Sequence, residues 1–125
     1  MLETKESIGT LAVKDLSGAR KFYEGILGLK VVDTQGSEAI TFQSGSSKIL
    51  VYRSQYAGTN KATALNWLVG KDIEIIARGL KERGVTFERY ELPSMTHEGD
   101  LHVMGSFKTA WFKDPDGNIL CLMNQ

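Results

Sequence analysis

The 125-residue chain holds one cysteine, Cys121. It can form no internal disulfide and no cysteine-rich zinc site, a pattern that fits a reducing compartment. Neither sign of charge prevails, because fifteen Lys and Arg balance fifteen Asp and Glu. Nucleic-acid proteins normally carry a basic excess, so no nucleic-acid partner is expected. No apolar run approaches the length of a bilayer span, and the polar N-terminus, Met1 to Ser7, lacks an apolar signal core. The expectations are no membrane partner and a cytoplasmic location. No glycine-rich phosphate loop is present: Gly45, Gly58 and Gly105 lie in separate turns without a Lys-Ser/Thr partner. Nothing resembles a nucleophile elbow.

What is present is an ordinary folding composition, with 42% hydrophobic and 24% charged residues. At this length a single domain buries roughly two-thirds of its unfolded surface and needs no staples. Ile8 to Val13 reads as a strand. Asp15 or Ser17 caps a helix whose apolar face is Ala19, Phe22, Tyr23, Ile26 and Leu27, with Gly28 as its left-handed stop. Strands follow at 29–33, 38–43 and 48–53. After a polar loop, 54–61, the pattern restarts. A strand runs over 64–69. Asp72 opens a helix with apolar Ile73, Ile76, Ala77 and Leu80, and Gly84 ends it. A strand covers 85–90, and a long polar stretch, 93–105, carries both histidines. The strands 107–113 and 119–123 flank the turn Asp114-Pro115-Asp116-Gly117-Asn118.

The halves repeat. Asp15-Leu16 and Asp72-Ile73 are offset by 57 residues, and Gly28-Leu29 and Gly84-Val85 by 56. A sheet with one helix cannot bury both its faces. The repeat therefore predicts one α+β domain of two βαβββ modules, about residues 6–54 and 62–125. Together they would form one curved mixed sheet, with helices on the convex face and a concave cavity for a ligand or a second subunit.

Asp15-Leu16, Phe22-Tyr23-Glu24 and Leu27-Gly28-Leu29 resemble the first-module signature of the vicinal oxygen chelate superfamily, and the segment from Phe112 to Asn118 resembles its closing signature. This superfamily includes glyoxalase I, bleomycin-resistance proteins and extradiol dioxygenases. The resemblance covers nearly the whole chain and implies a homodimer with jointly formed cavities. It also implies where a catalytic metal would be held: seven residues before the helix-opening Asp, in the last strand of the first module, at the start of the second, and three residues past the turn. Those positions are Ile8, a residue from Leu50 to Tyr52, Ala64 or Leu65, and Cys121. A divalent metal needs roughly three His, Cys or carboxylate ligands. The expectation is therefore no metal, no cofactor, and membership of the ligand-binding branch typified by antibiotic-sequestering proteins.

Strand alternation places Ile119 and Cys121 on the concave face, with Leu120 and Leu122 under the helices. Ile8, Thr10 and Ala12 share the concave face, and so does Asn66 if Trp67 faces the helices. A flat organic ligand calls for aromatic walls and a few polar groups. The candidate ligand-binding set is Thr10, Tyr52, Asn66, His102, Trp111 and Cys121, with Tyr56, Trp67 and Phe112 as further aromatics. Arg53 and Glu38 are rim or surface charges, or bind charged groups of a ligand. His97, Glu98, Asp100 and His102 cluster within six residues; they decorate a lid or surface loop, or touch ligand, or supply acid/base chemistry. If residues 99–103 are extended, the two histidines differ in facing. Three functions follow: a metal-independent binder of a small, partly aromatic molecule; a glyoxalase-type lyase or isomerase using a non-standard metal or the His97/His102 loop; and an interaction module with no small ligand.

Overall fold

The computed structural model describes all 125 residues, in two compact units, Met1–Thr59 and Asn60–Gln125. The class is α+β, with a mixed sheet in each unit. In the first unit β1 (Gly9–Val13) leads into α1 (Leu16–Arg20). The Asp15 carboxylate caps α1 by accepting from the N–H groups of Ser17 and Gly18. The predicted single helix then changes type, because Lys21–Ile26 is a π-helix, closed by the Leu27 N–H on the Phe22 carbonyl at 2.9 Å. Its wider turn lets adjacent Phe22 and Tyr23 both be buried, with the Tyr23 ring 5.7 Å from that of Phe42. Gly28 ends the segment at φ +78°, a conformation a Cβ disfavours.

β2 (Lys30–Gln35), β3 (Ala39–Ser44) and β4 (Ser47–Arg53) complete this sheet in the order β1-β4-β3-β2, with β1 parallel to β4. Burial alternates along the strands. Leu11, Val13, Phe42, Ile49 and Val51 are buried on the face that α1 covers, while Thr10 and Tyr52 are exposed on the other.

In the second unit β5 (Thr63–Leu68) is followed by a 3₁₀ turn, Gly70–Asp72, and by α2 (Ile73–Glu82). Asp72 precedes α2, but its side chain makes no capping hydrogen bond. Ile73 and Ala77 are buried, and Glu74 pairs with Lys108 at 2.6 Å. Then come β6 (Phe87–Glu88), β7 (Thr96–Glu98), β8 (Leu101–Met104), β9 (Phe107–Lys113) and β10 (Ile119–Met123). The order is β5-β10-β9-β8-β7, with β6 also on β9.

Two expectations are corrected here. The strand read over residues 85–90 is only β6, and the polar stretch 93–105 is not a loop but contains the β7–β8 hairpin. The causes are linked. Phe87 and Glu88 pair with Phe112 and Trp111, so a longer β6 would bring Tyr90 opposite Thr109. That place is held by β8, whose His102 pairs with Thr109. One edge of β9 is shared by two strands, and β6 stops where β8 begins.

The turn before β10 behaves as read. The buried Asp114 carboxylate accepts from the Asp116 and Asn118 N–H groups, each at 2.9 Å, and from Asn118 Nδ2 at 2.8 Å. Gly117 takes φ +91°.

Candidate functional site

The second sheet has two dissimilar faces. Trp67 stacks on fully buried Phe112, with centroids 6.3 Å apart, and Phe87 meets Phe112 at 5.7 Å. These residues, with Leu120 and Leu122, form the side on which α2 packs against β9. Asn66, Cys121 and Trp111 therefore occupy the opposite, open face. They form one row across β5, β10 and β9, because Cys121 is the register partner of both Asn66 and Trp111. The next row on that face has Thr109 opposite His102.

His102 is 1% exposed, and it is neither a lid residue nor a surface residue. His97 and His102 are direct cross-strand partners, so they face the same way, with ring centroids 4.7 Å apart. The expectation that they differ in facing is overturned by this register. Glu98 and Asp100 are not gathered with them: Glu98 is exposed, and Asp100 pairs with Lys81 at 3.0 Å. The His102 ring lies 4.9 Å from Trp111 and 6.0 Å from Tyr90, and Tyr90 lies 5.4 Å from Trp111. Four rings thus form one cluster, edge-to-face except for the tilted Tyr90–His102 pair. The Trp111 indole N–H donates to Thr63 Oγ1 at 3.0 Å.

Tyr90 is the member that sequence reasoning missed. Its backbone has no strand partner, and the two histidines take that role. The Tyr90 N–H donates to His102 Nε2 at 2.9 Å, and His97 Nε2 donates to the Tyr90 carbonyl at 3.0 Å. The pairing fixes opposite tautomers, since a carbonyl only accepts and an amide N–H only donates. His97 carries a proton on Nε2. His102 carries none there, so its proton sits on Nδ1. Burial, and then the neighbouring His97, lower the pKa of His102 and favour this neutral form. Burial first, and then Glu88, raise the Tyr90 phenol, which stays protonated.

Thr109 also escaped the sequence reading. Its hydroxyl lies 3.0 Å from Cys121 Sγ and donates to the Leu122 carbonyl at 2.9 Å. Desolvation raises the Cys121 thiol pKa, so the sulfur is held as a protonated, weakly nucleophilic group.

Thr10 and Tyr52 lie on the open face of the first sheet, on paired strands β1 and β4 and two register steps apart. Tyr52 is 40% exposed. Tyr56 is exposed in the following loop, and Phe112 belongs to the helix side. Arg53 and Glu38 bond each other at 2.8 Å beside a cleft lined by Lys14, Ser54 and Gln55.

A family model for the glyoxalase/bleomycin resistance protein/dioxygenase superfamily matches residues 7–122. The chain belongs to this superfamily. Several solved structures share its fold at low identity. The fosfomycin resistance protein FosX from Mesorhizobium loti aligns with a TM-score of 0.72 at 16% identity, covering 100% of this chain and 94% of that one. Lactoylglutathione lyase from Agrobacterium tumefaciens gives 0.69 at 14%, covering 96% and 92%. A variant FosX from Listeria monocytogenes, complexed with Mn(II) and 1S,2S-dihydroxypropylphosphonic acid, gives 0.70 at 18%, covering 97% and 90%.

That superfamily places a metal on some members, and the residues of this chain do not fit one. Ile8, Ala64 and Leu65 have no donor atom, and neither Leu50 nor Val51 adds one. Tyr52 is a phenol, and Cys121 is a protonated thiol engaged with Thr109. His97 and His102 do not replace them: two histidines fall short of the roughly three donors a divalent ion needs, and Nδ1 of His102, the ring nitrogen not held by Tyr90, carries the proton. No group of three or more His, Cys, Asp or Glu side chains is placed to hold an ion. No helix is long and apolar enough to cross a membrane.

Proposed function

We propose that this superfamily member binds a small, partly aromatic molecule on the open sheet face and does so without a catalytic metal. One observation carries the reading: the positions that would ligate the metal hold Ile8, Ala64 or Leu65, a residue from Leu50 to Tyr52, and Cys121, a set with too few donors for a divalent ion. The row Asn66–Cys121–Trp111, backed by His102 and Tyr90, supports it. It joins aromatic walls to a few polar groups, the makeup of a small-molecule site. Thr10 and Tyr52 complete the proposed ligand-binding set. The two modules act as one domain in a cytoplasmic homodimer, with no nucleic-acid or membrane partner. Sequestration without turnover is the role that this chemistry allows.

The test is metal stoichiometry. Tag-free protein is assayed by elemental mass spectrometry, then stripped and titrated with Ni, Zn, Mn and Fe by calorimetry. The expected result is no stoichiometric metal and no tight binding. One tightly held ion per chain would overturn the reading and favour a glyoxalase-type lyase or isomerase.

A further inference from the structure

Residues 89–95, between β6 and β7, belong to no strand. The Met95 N–H donates to the Leu92 carbonyl at 3.3 Å, and Arg89 pairs with Glu91 at 4.0 Å, both within the segment. What fastens the segment to the β7–β8 hairpin is the histidine pair. The Tyr90 N–H donates to His102 Nε2, and the Tyr90 carbonyl accepts from His97 Nε2. These two bonds answer acid in opposite ways. A proton added to His97 goes to Nδ1 and leaves the Nε2–H donor in place. A proton added to His102 must go to Nε2, because Nδ1 already carries one. There it removes the acceptor and sets N–H against N–H. Ser94, in the same segment, holds φ +66° without being glycine, a strain that release would relieve.

We propose that residues 89–95 form a pH-released strap: neutral His102 latches the Tyr90 backbone to the β7–β8 hairpin, and protonation of His102 frees it. Few groups face His102. β7 presents His97, with its ring centroid 4.7 Å away. The strap presents the Tyr90 ring, and its Arg89 and Glu91 act on His102 with opposite signs. β9 presents Trp111 and Thr109, neither of which titrates. Nδ1 of His102 meets no carboxylate or other acceptor that would hold an imidazolium in the closed state. Burial first, and then His97, keep the pKa of His102 below 6.5, so the strap stays shut at neutral pH and opens in acid. Opening withdraws the Tyr90 ring from Trp111 and His102 and uncovers that end of the open sheet face.

The experiment is amide hydrogen exchange by NMR on the ¹⁵N-labelled full chain from pH 7.5 to 5, expressed as protection factors. Protection of the Tyr90 amide is expected to fall about tenfold per pH unit below pH 6.5, until the folded pKa of His102 is reached. The Leu120 and Leu122 amides, in the central strand β10, should stay at least about tenfold better protected than Tyr90 at every pH. His102→Gln offers an acceptor of similar reach that cannot titrate, so its Tyr90 protection should be flat with pH. His97→Gln should keep the wild-type slope. Three results would overturn the strap. In the first, wild-type Tyr90 protection stays flat down to pH 5. In the second, Tyr90 is protected as well as Leu120 and Leu122 throughout, so the segment opens only with the whole chain. In the third, His102→Gln keeps the wild-type slope. The wild-type series decides alone if His102→Gln fails to fold.

Discussion

Asp114→Ala tests how the turn holds β10, and with it Cys121, in register. Three hydrogen bonds end on the Asp114 carboxylate, two of them from buried Asn118. A bond to a charged acceptor contributes about 1.5–3 kcal/mol net, and losses inside one network do not sum. We expect a loss of about 3 kcal/mol, a large share of the roughly 5–15 kcal/mol that stabilises a typical domain. For a chain of this size that corresponds to a fall in Tm of about 12 °C. Asp114→Asn keeps an acceptor for the two backbone N–H groups but sets an amide against the Asn118 amide, and should cost about 1 kcal/mol. Asp33→Ala, at an exposed carboxylate, should stay within about 0.5 kcal/mol of wild type. Urea unfolding followed by circular dichroism, with differential scanning calorimetry, reads all three. An Asp114→Ala protein as stable as Asp33→Ala would refute the idea that this carboxylate organises the turn.

Two other perturbations address the helix stop and the histidine pair. Gly28→Val should cost about 1–2 kcal/mol through its positive φ alone, because a Cβ there meets nothing within 4 Å; Gly25→Ala, with equal space and no positive φ, should be neutral or stabilising in the same urea assay. His102 has a folded pKa below its ordinary 6.5, so its contribution to stability is complete above pH 6.5 and is lost as the pH falls toward the lowered value, where the folded chain must also take the proton. Stability measured from pH 7.5 to 5 should therefore fall more steeply for wild type than for His102→Gln, and parallel curves would dismiss the assigned neutral state.

The local devices of the fold were legible because each is written in a few adjacent residues. Asp15 caps, Gly28 and Gly84 take positive φ, and the Asp-Gly-Asn turn joins two strands. The repeat showed where strands and helices recur, and alternation placed Cys121 on the face that Asn66 shares when Trp67 turns to the helices; the facing of Trp111 was left open and came from its register with Cys121. The histidines and Tyr90 were not legible, because their arrangement depends on a contest between distant segments. Nothing near residue 90 announces that β8 will take the place opposite Thr109. Once it does, the backbone of Tyr90 needs partners, and the facing of His97 and His102 follows from pairing rather than from local pattern. The π-helix was hidden for a related reason: apolar spacing marks the inward face but not the number of residues per turn.

The shared edge of β9 makes the β7–β8 hairpin a replaceable cassette. It substitutes for rungs that β6 would otherwise supply, and it leaves the β9–β10 and β10–β5 ladders uninterrupted. Its tip at Gly99 takes φ +61°, and Asp100 beside it is tethered to α2 through Lys81. Hairpins of other lengths and sequences can be grafted between Tyr90 and Phe107 without altering the row that contains Cys121. Each graft would bring different side chains to the backbone of Tyr90 and a different polar wall to the same sheet. A designer wishing to change the chemistry of this face would diversify residues 96–104 and leave the neighbouring strands alone.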